Sequence, residues 1–260
     1  MRRLLAAGLV LGAVVAGLGV VRALSADAAV VPAYHPSKLT HLSDSRQVIV
    51  VSGVSRTSSY ATLYTYQLGA DGKTWKARFS GMPARIGYAG WAWAGKRVQD
   101  TGTTPAGTFR ISATFGLKTN PGTRMSYKLA DADDYWVGDN KDPQTYNMFQ
   151  PSASSKRTWR TGEAERLAAY PTQYEYAAVV NFNRPAAATV TWDAVRSQYV
   201  TSKPANVKLG SAIFLHVNGA GSTAGCVSLR RADLLKVLTW LDPDERPRIV
   251  MAVKADLAKA

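Results

Sequence analysis

The chain has one cysteine, Cys226, and only three histidines, His35, His41 and His216. A single thiol rules out an internal disulfide framework. With one cysteine, scattered histidines and no HExxH-like spacing, a metal site has no support. Acidic residues are scarce too, 18 Asp+Glu against 32 Lys+Arg, for a formal charge of +14. No lysine/arginine run is dense enough to form a tail, so this excess is spread over a folded surface. After residue 28 there is no apolar run long enough to cross a membrane, no internal repeat and no low-complexity linker.

The first feature present is the opening, "MRRLLAAGLVLGAVVAGLGVVRALSADAAVV". Arg2 and Arg3 form a basic start, Leu4 to Val21 is uncharged and apolar, and Ala26-Asp27-Ala28 offers an A-x-A cleavage site. This pattern predicts a secretory signal over residues 1–28. The alternative is an uncleaved anchor, the one case in which the chain would contact a membrane. Either way the rest of the chain is expected outside the cytoplasmic membrane, secreted or held at the cell wall. Without residues 1–28 the chain keeps 29 basic and 17 acidic side chains. Outside the membrane that surplus suits anionic cell-wall polymers and not nucleic acid.

Residues 29–46 read as an irregular lead-in, with His35 and His41 as exposed loop residues, and 47–260 as one domain. Strand-like runs occupy 47–53, 61–69, 107–116, 176–182, 188–192, 212–217 and 248–253. In the run 107–116, Phe109, Ile111 and Ala113 alternate with Arg110, Ser112 and Thr114. Two helices are expected. One is short, from Glu163 to Ala169 before Pro171; the other runs from Ala232 to Leu241 before Asp242-Pro243. The pattern predicts a mainly-β single domain, a sandwich or partly closed barrel with a few packed helices. The aromatic segment 133–149, with Tyr135, Trp136, Tyr146 and Asn147, either lines a cleft or packs as a long loop on the core.

The chemistry concentrates in "IFLHVNGAGSTAGCVSL", residues 213–229. Alternation puts Ala212, Phe214 and His216 on one face and Ile213, Leu215 and Val217 on the other, and both faces are apolar, so the strand is central. A glycine-rich loop of small residues then leads to Cys226. An unpaired cysteine in an exported chain either bridges to another molecule or is kept as a reactive thiol. The bland reading is a buried cysteine serving as a small hydrophobe. A thiol of ordinary pKa is largely protonated at neutral pH, and a nearby imidazole can take that proton and return it to a leaving amine. The N–H groups of Ala224, Gly225 and Cys226 are candidates to receive a developing oxyanion.

At these residues the sequence resembles the L,D-transpeptidase catalytic domain, of the YkuD type. His216 on a strand, then Thr223-Ala224-Gly225-Cys226-Val227, follow that family's [S/T]-x-G-C pattern, and "TGTTPAGTFRI" (101–111) resembles a second family element. The likeness spans roughly Gln47 to Val253. It implies Cys226 as nucleophile, His216 as base, and the Val217 carbonyl as the group orienting the histidine. Asn218, Ser222 and Thr223 are the expected substrate contacts. The departures are Val217 after the histidine, Ala224 in place of a second histidine, Ser228 in place of an Arg or Asn, and a shorter loop.

The resemblance further implies a thioester on Cys226, release of D-alanine from a peptidoglycan stem tetrapeptide, and a 3→3 cross-link formed by a second stem's amine. No cofactor is needed, and a carbapenem would acylate the same thiol. Water in place of the amine would make the enzyme an L,D-carboxypeptidase. A wall-binding protein without catalysis is the rival from another class; it predicts a dispensable, packed Cys226.

Overall fold

The computed structural model describes residues 34–260. The expected export signal and the first residues of the lead-in lie outside the described residues. Eight strands form a ring: β1 (Gln47–Gly53), β2 (Tyr60–Leu68), β3 (Trp75–Arg85), β4 (Thr104–Gly116), β5 (Ala177–Val180), β6 (Phe214–Val217), β7 (Val227–Leu229) and β8 (Arg248–Val253). Hydrogen-bonded neighbours run β1–β2–β3–β7–β6–β5–β4–β8 and back to β1. The β1–β8 and β6–β7 pairs are parallel and the other six antiparallel. The mainly-β expectation therefore holds, and the sheet closes as a barrel.

Runs such as Val48–Val51 and Ile249–Ala252 are wholly buried because their strands are covered on both faces. The helix α1 (Arg231–Trp240) starts one residue before the expected helix and packs Leu234, Val237 and Leu238 on the core. The lead-in is docked: Leu42 joins the core, and Tyr34 and Leu39 lie against it. His35 and His41 are exposed.

Three expectations are corrected. Residues 163–169 do not form a helix. Ala164–Arg166 is a strand paired with Tyr135–Val137, bounded by single 3-10 turns at Thr161–Glu163 and Leu167–Ala169. Ladder bonds to a distant segment override the helical propensity of Glu, Ala, Arg and Leu. The run 107–116 changes face part-way. Its pairing to β5 shifts between Val179 and Val180 and skips Ser112, a bulge that leaves Ile111 in the main core while Ala113 packs on the other face. Strand β3 is not among the strands expected; Lys76, Arg78, Gly81 and Pro83 hide it.

A second apolar cluster lies on the outer face of β4, β5 and β6. Phe115, Ala177, Val179 and Phe214 meet Trp136, Leu167 and Tyr174 there. The segments 135–137 and 164–175 thus form a cap over the face that carries His216.

Candidate active site

Strand β6 presents His216 on the capped face, while Ile213, Leu215 and Val217 enter the main core. The imidazole is buried, with Tyr174 edge-on at 5.6 Å between ring centroids. Its Nδ1 lies 2.7 Å from the Val217 carbonyl oxygen. That oxygen can only accept, so Nδ1 carries the proton and Nε2 holds a free lone pair. Burial lowers the His216 pKa to about 4, against a smaller opposing effect of the Val217 bond. The ring is therefore a neutral base at neutral pH.

The parallel register Leu215↔Val227 sets Cys226 beside Phe214, two residues from His216 on the same face. Cα atoms so placed are on the order of 8 Å apart, within side-chain reach. Gly225, before the thiol, has φ +143°, and a Cβ there would lie 2.9 Å from Arg97 Nη2 and from the Thr103 carbonyl oxygen. Only glycine fits. The thiol donates to the Ala212 carbonyl at 3.2 Å and accepts from the Phe214 N–H at 3.4 Å. Burial, with a smaller contribution from the Glu165 carboxylate, pushes the Cys226 pKa up to about 12; the Phe214 N–H and the Arg97 guanidinium oppose this. The resting pair is thus neutral thiol and neutral imidazole. A transfer of the thiol proton to Nε2 would require Cys226 to turn away from the Ala212 carbonyl.

Both side chains line one cavity of about 790 Å³, with Trp136, Glu165, Tyr174 and Arg97 in its walls. The size suits a peptide-sized ligand. Its loop wall is held from outside: Arg85 Nη1 donates to the carbonyls of Gly219 at 2.7 Å and Gly221 at 3.2 Å.

The residues expected to touch substrate separate into two groups. Ser222 and Ala224 are exposed and line the cavity. Thr223 is occupied within the protein. Its N–H donates to the Ile86 carbonyl, its own carbonyl accepts from Tyr88 N–H, and its hydroxyl donates to the Cys226 carbonyl at 2.6 Å. The same hydroxyl accepts the Gly225 N–H at 3.1 Å, which removes Gly225 from the available oxyanion donors. Asn218 accepts from Ser228 Oγ at 2.8 Å.

Sequence reasoning missed four residues at this site. Arg97 is 4% exposed, donates to the carbonyls of Thr103 and Leu209, both at 2.7 Å, and reaches the cavity beside the thiol. Ala212 holds φ +54°, which aims its carbonyl at Cys226. Tyr174 donates to Glu165 Oε1 at 2.6 Å. None of these carries a motif. The glycine-rich run before Cys226 was the only local signal.

Residues 46–250, most of the chain, match the YkuD family model, described as the L,D-transpeptidase catalytic domain. The chain belongs to the L,D-transpeptidase family. No curated protein and no solved structure matches it. The family acts on peptidoglycan.

Within this L,D-transpeptidase domain the departures have local explanations. The Val217 side chain points into the barrel core, so a larger residue after the histidine leaves its carbonyl free to hold Nδ1. Ser228 is fully buried and its hydroxyl fixes Asn218. Among the described residues no group of three or more His, Cys, Asp or Glu side chains could hold a metal ion.

Proposed function

We propose that this L,D-transpeptidase domain forms 3→3 cross-links between peptidoglycan stem peptides through a thioester on Cys226. The observation that carries the reading is the placement of His216 and Cys226 in one cavity, with Nε2 freed by the bond from Nδ1 to Val217. His216 takes the thiol proton as Sγ attacks the carbonyl carbon of the third stem residue. The backbone N–H groups of Cys226 and Ala224 receive the oxyanion, since that of Gly225 is engaged. The C–N bond breaks, D-alanine leaves with the proton from His216, and the thioester remains. An amine of a second stem attacks it, and His216 moves one N–H proton to the departing sulfur.

Exposed Ala220, Gly221 and Ser222 beside the thiol also give water access, which favours L,D-carboxypeptidase activity as a side reaction. We place the protein outside the membrane, held by its cationic surface at anionic wall polymers.

The test is incubation with a disaccharide-tetrapeptide and mass analysis of the products. The expected result is a tripeptide acyl-enzyme on Cys226, then cross-linked dimer growing with substrate concentration. Tripeptide alone at the highest concentration would make the enzyme a carboxypeptidase. No acyl-enzyme, with Cys226→Ala indistinguishable from the parent, would favour the non-catalytic wall-binding protein.

A further inference from the structure

The cavity contains a carboxylate that the acylation chemistry does not use. Glu165 sits in the three-residue strand Ala164–Arg166, in register with Trp136, and lines the same cavity as Cys226 and His216. Its Oε1 accepts from Tyr174 at 2.6 Å, and among the described residues no lysine or arginine pairs with it. The charges around it are committed elsewhere. Arg160 pairs with Asp139 and Glu163, and Arg97 is tied to two backbone carbonyls. The other titratable groups near it are Tyr170, Tyr174 and the Cys226 thiol; His216 and Arg97 also line the cavity, as do two exposed carboxylates, Glu163 and Asp100. An enclosed carboxylate without a cation is costly. This one is doubly so, because its charge opposes formation of the thiolate on Cys226.

We propose that Glu165, held by the Tyr174 hydroxyl, is the subsite for the primary ammonium of the acceptor stem. The proposal rests on the transpeptidase reading and names the group that makes an amine, rather than water, the preferred acceptor. An ammonium placed there satisfies the carboxylate and removes the charge that disfavours sulfur as a leaving anion. Burial pushes the Glu165 pKa up to about 7, closer to that of an alkylammonium than an ordinary carboxylate lies. The ammonium gives one proton to Glu165, and the freed nitrogen lone pair attacks the thioester carbonyl. His216 takes a second N–H proton and passes it to sulfur as the C–S bond breaks. Glu165 then returns its proton to solvent. The outcome is one amide, one thiol and one released proton.

The experiment compares the full chain with Glu165→Gln, using disaccharide-tetrapeptide as donor and Nα-acetyl-lysine amide as acceptor probe. The expected result has opposite signs in the two steps. Acylation of Cys226 becomes faster, because an opposing charge has gone. The ratio of aminolysis to hydrolysis falls about tenfold to a hundredfold, the range of one charge-assisted hydrogen bond. A decrease in acylation with an unchanged ratio would overturn the proposal, since a merely structural residue behaves that way. A second measurement needs neither turnover nor the Gln variant. Nuclear magnetic resonance titration of Cys226→Ala with the probe and with its 6-hydroxy isostere should show the ammonium binding at least about tenfold more tightly. Equal affinities would overturn the subsite. Ammonium preference without any acylation of the parent protein would uphold the subsite and reject the transpeptidase reading.

Discussion

Asn147 accepts the backbone N–H of Ala212 at 3.1 Å across 65 residues of sequence. The same Oδ1 receives Trp136 Nε1 at 2.9 Å, and the amide nitrogen donates to the carbonyls of Phe182 and Asn183. One buried side chain thus ties the cap to the turn whose carbonyl holds the thiol. Asn147→Ala should cost about 1–3 kcal/mol for each buried polar group left unpaired. It should also slow Cys226 acylation, as Ala212 is no longer held at φ +54°. Urea denaturation and acylation kinetics on the same preparation check both effects; full stability with full rate would contradict this account.

His216→Ala should slow acylation about 10²–10⁴-fold, the usual loss for a general base. Added imidazole should restore part of the rate, because it fills the vacated space with the same chemistry. Loss of rate without rescue would point to packing under Tyr174 as the role of this ring.

Stability in mild acid should reveal a buried group, His216, and a half-buried one, Glu165, acting in opposite directions. His216 titrates near 6.5 when unfolded and near 4 when folded, so only the unfolded chain takes up its proton in that window, and stability is lost as pH falls from about 6.5 to 4. Glu165 shifts the other way, from 4.5 to about 7; the folded state keeps a proton that the unfolded chain releases, so stability is lost as pH rises from about 4.5 to 7. The two effects largely cancel in the parent. Melting temperatures measured from pH 4 to 7 should fall with rising pH in His216→Gln and rise in Glu165→Gln. Parallel curves for parent and variants would refute this.

Arg97→Ala should raise the thiol pKa further and slow acylation, because it removes a positive charge acting on Cys226. It also strips the Thr103 and Leu209 carbonyls of their donor. Arg97→Lys should recover little stability, since an ammonium on a flexible stem does not reproduce the guanidinium fork. The pH dependence of thiol alkylation by iodoacetamide measures the first effect and calorimetry the second.

The strand bearing His216 was legible because alternation is a local signal, and apolar residues on both faces identify a central strand. The Val217 carbonyl was legible only through the family resemblance, and the structure shows it 2.7 Å from Nδ1. Glu165 was not. The residues from Glu163 to Ala169 carry helical propensity, and only pairing with Tyr135–Val137, far along the chain, makes them a strand and turns the carboxylate toward the thiol. Arg97 was invisible for a related reason: one arginine among 32 basic residues has no local mark of burial. Strand β3 went unseen because its exposed positions carry charge, and its partners lie in β2 and β7.

The ring closes through β8, which lies between β1, near the start of the domain, and β4. Until residues 248–253 are available, β1 and β4 each keep a bare row of N–H and C=O groups, and the barrel remains an open, sticky ribbon. Closure joins segments about 200 positions apart, so it carries a large loop-entropy cost and comes late. Without β8 the ring has no strand to join β1 to β4, and a truncation before Arg248 should yield aggregate rather than a smaller barrel.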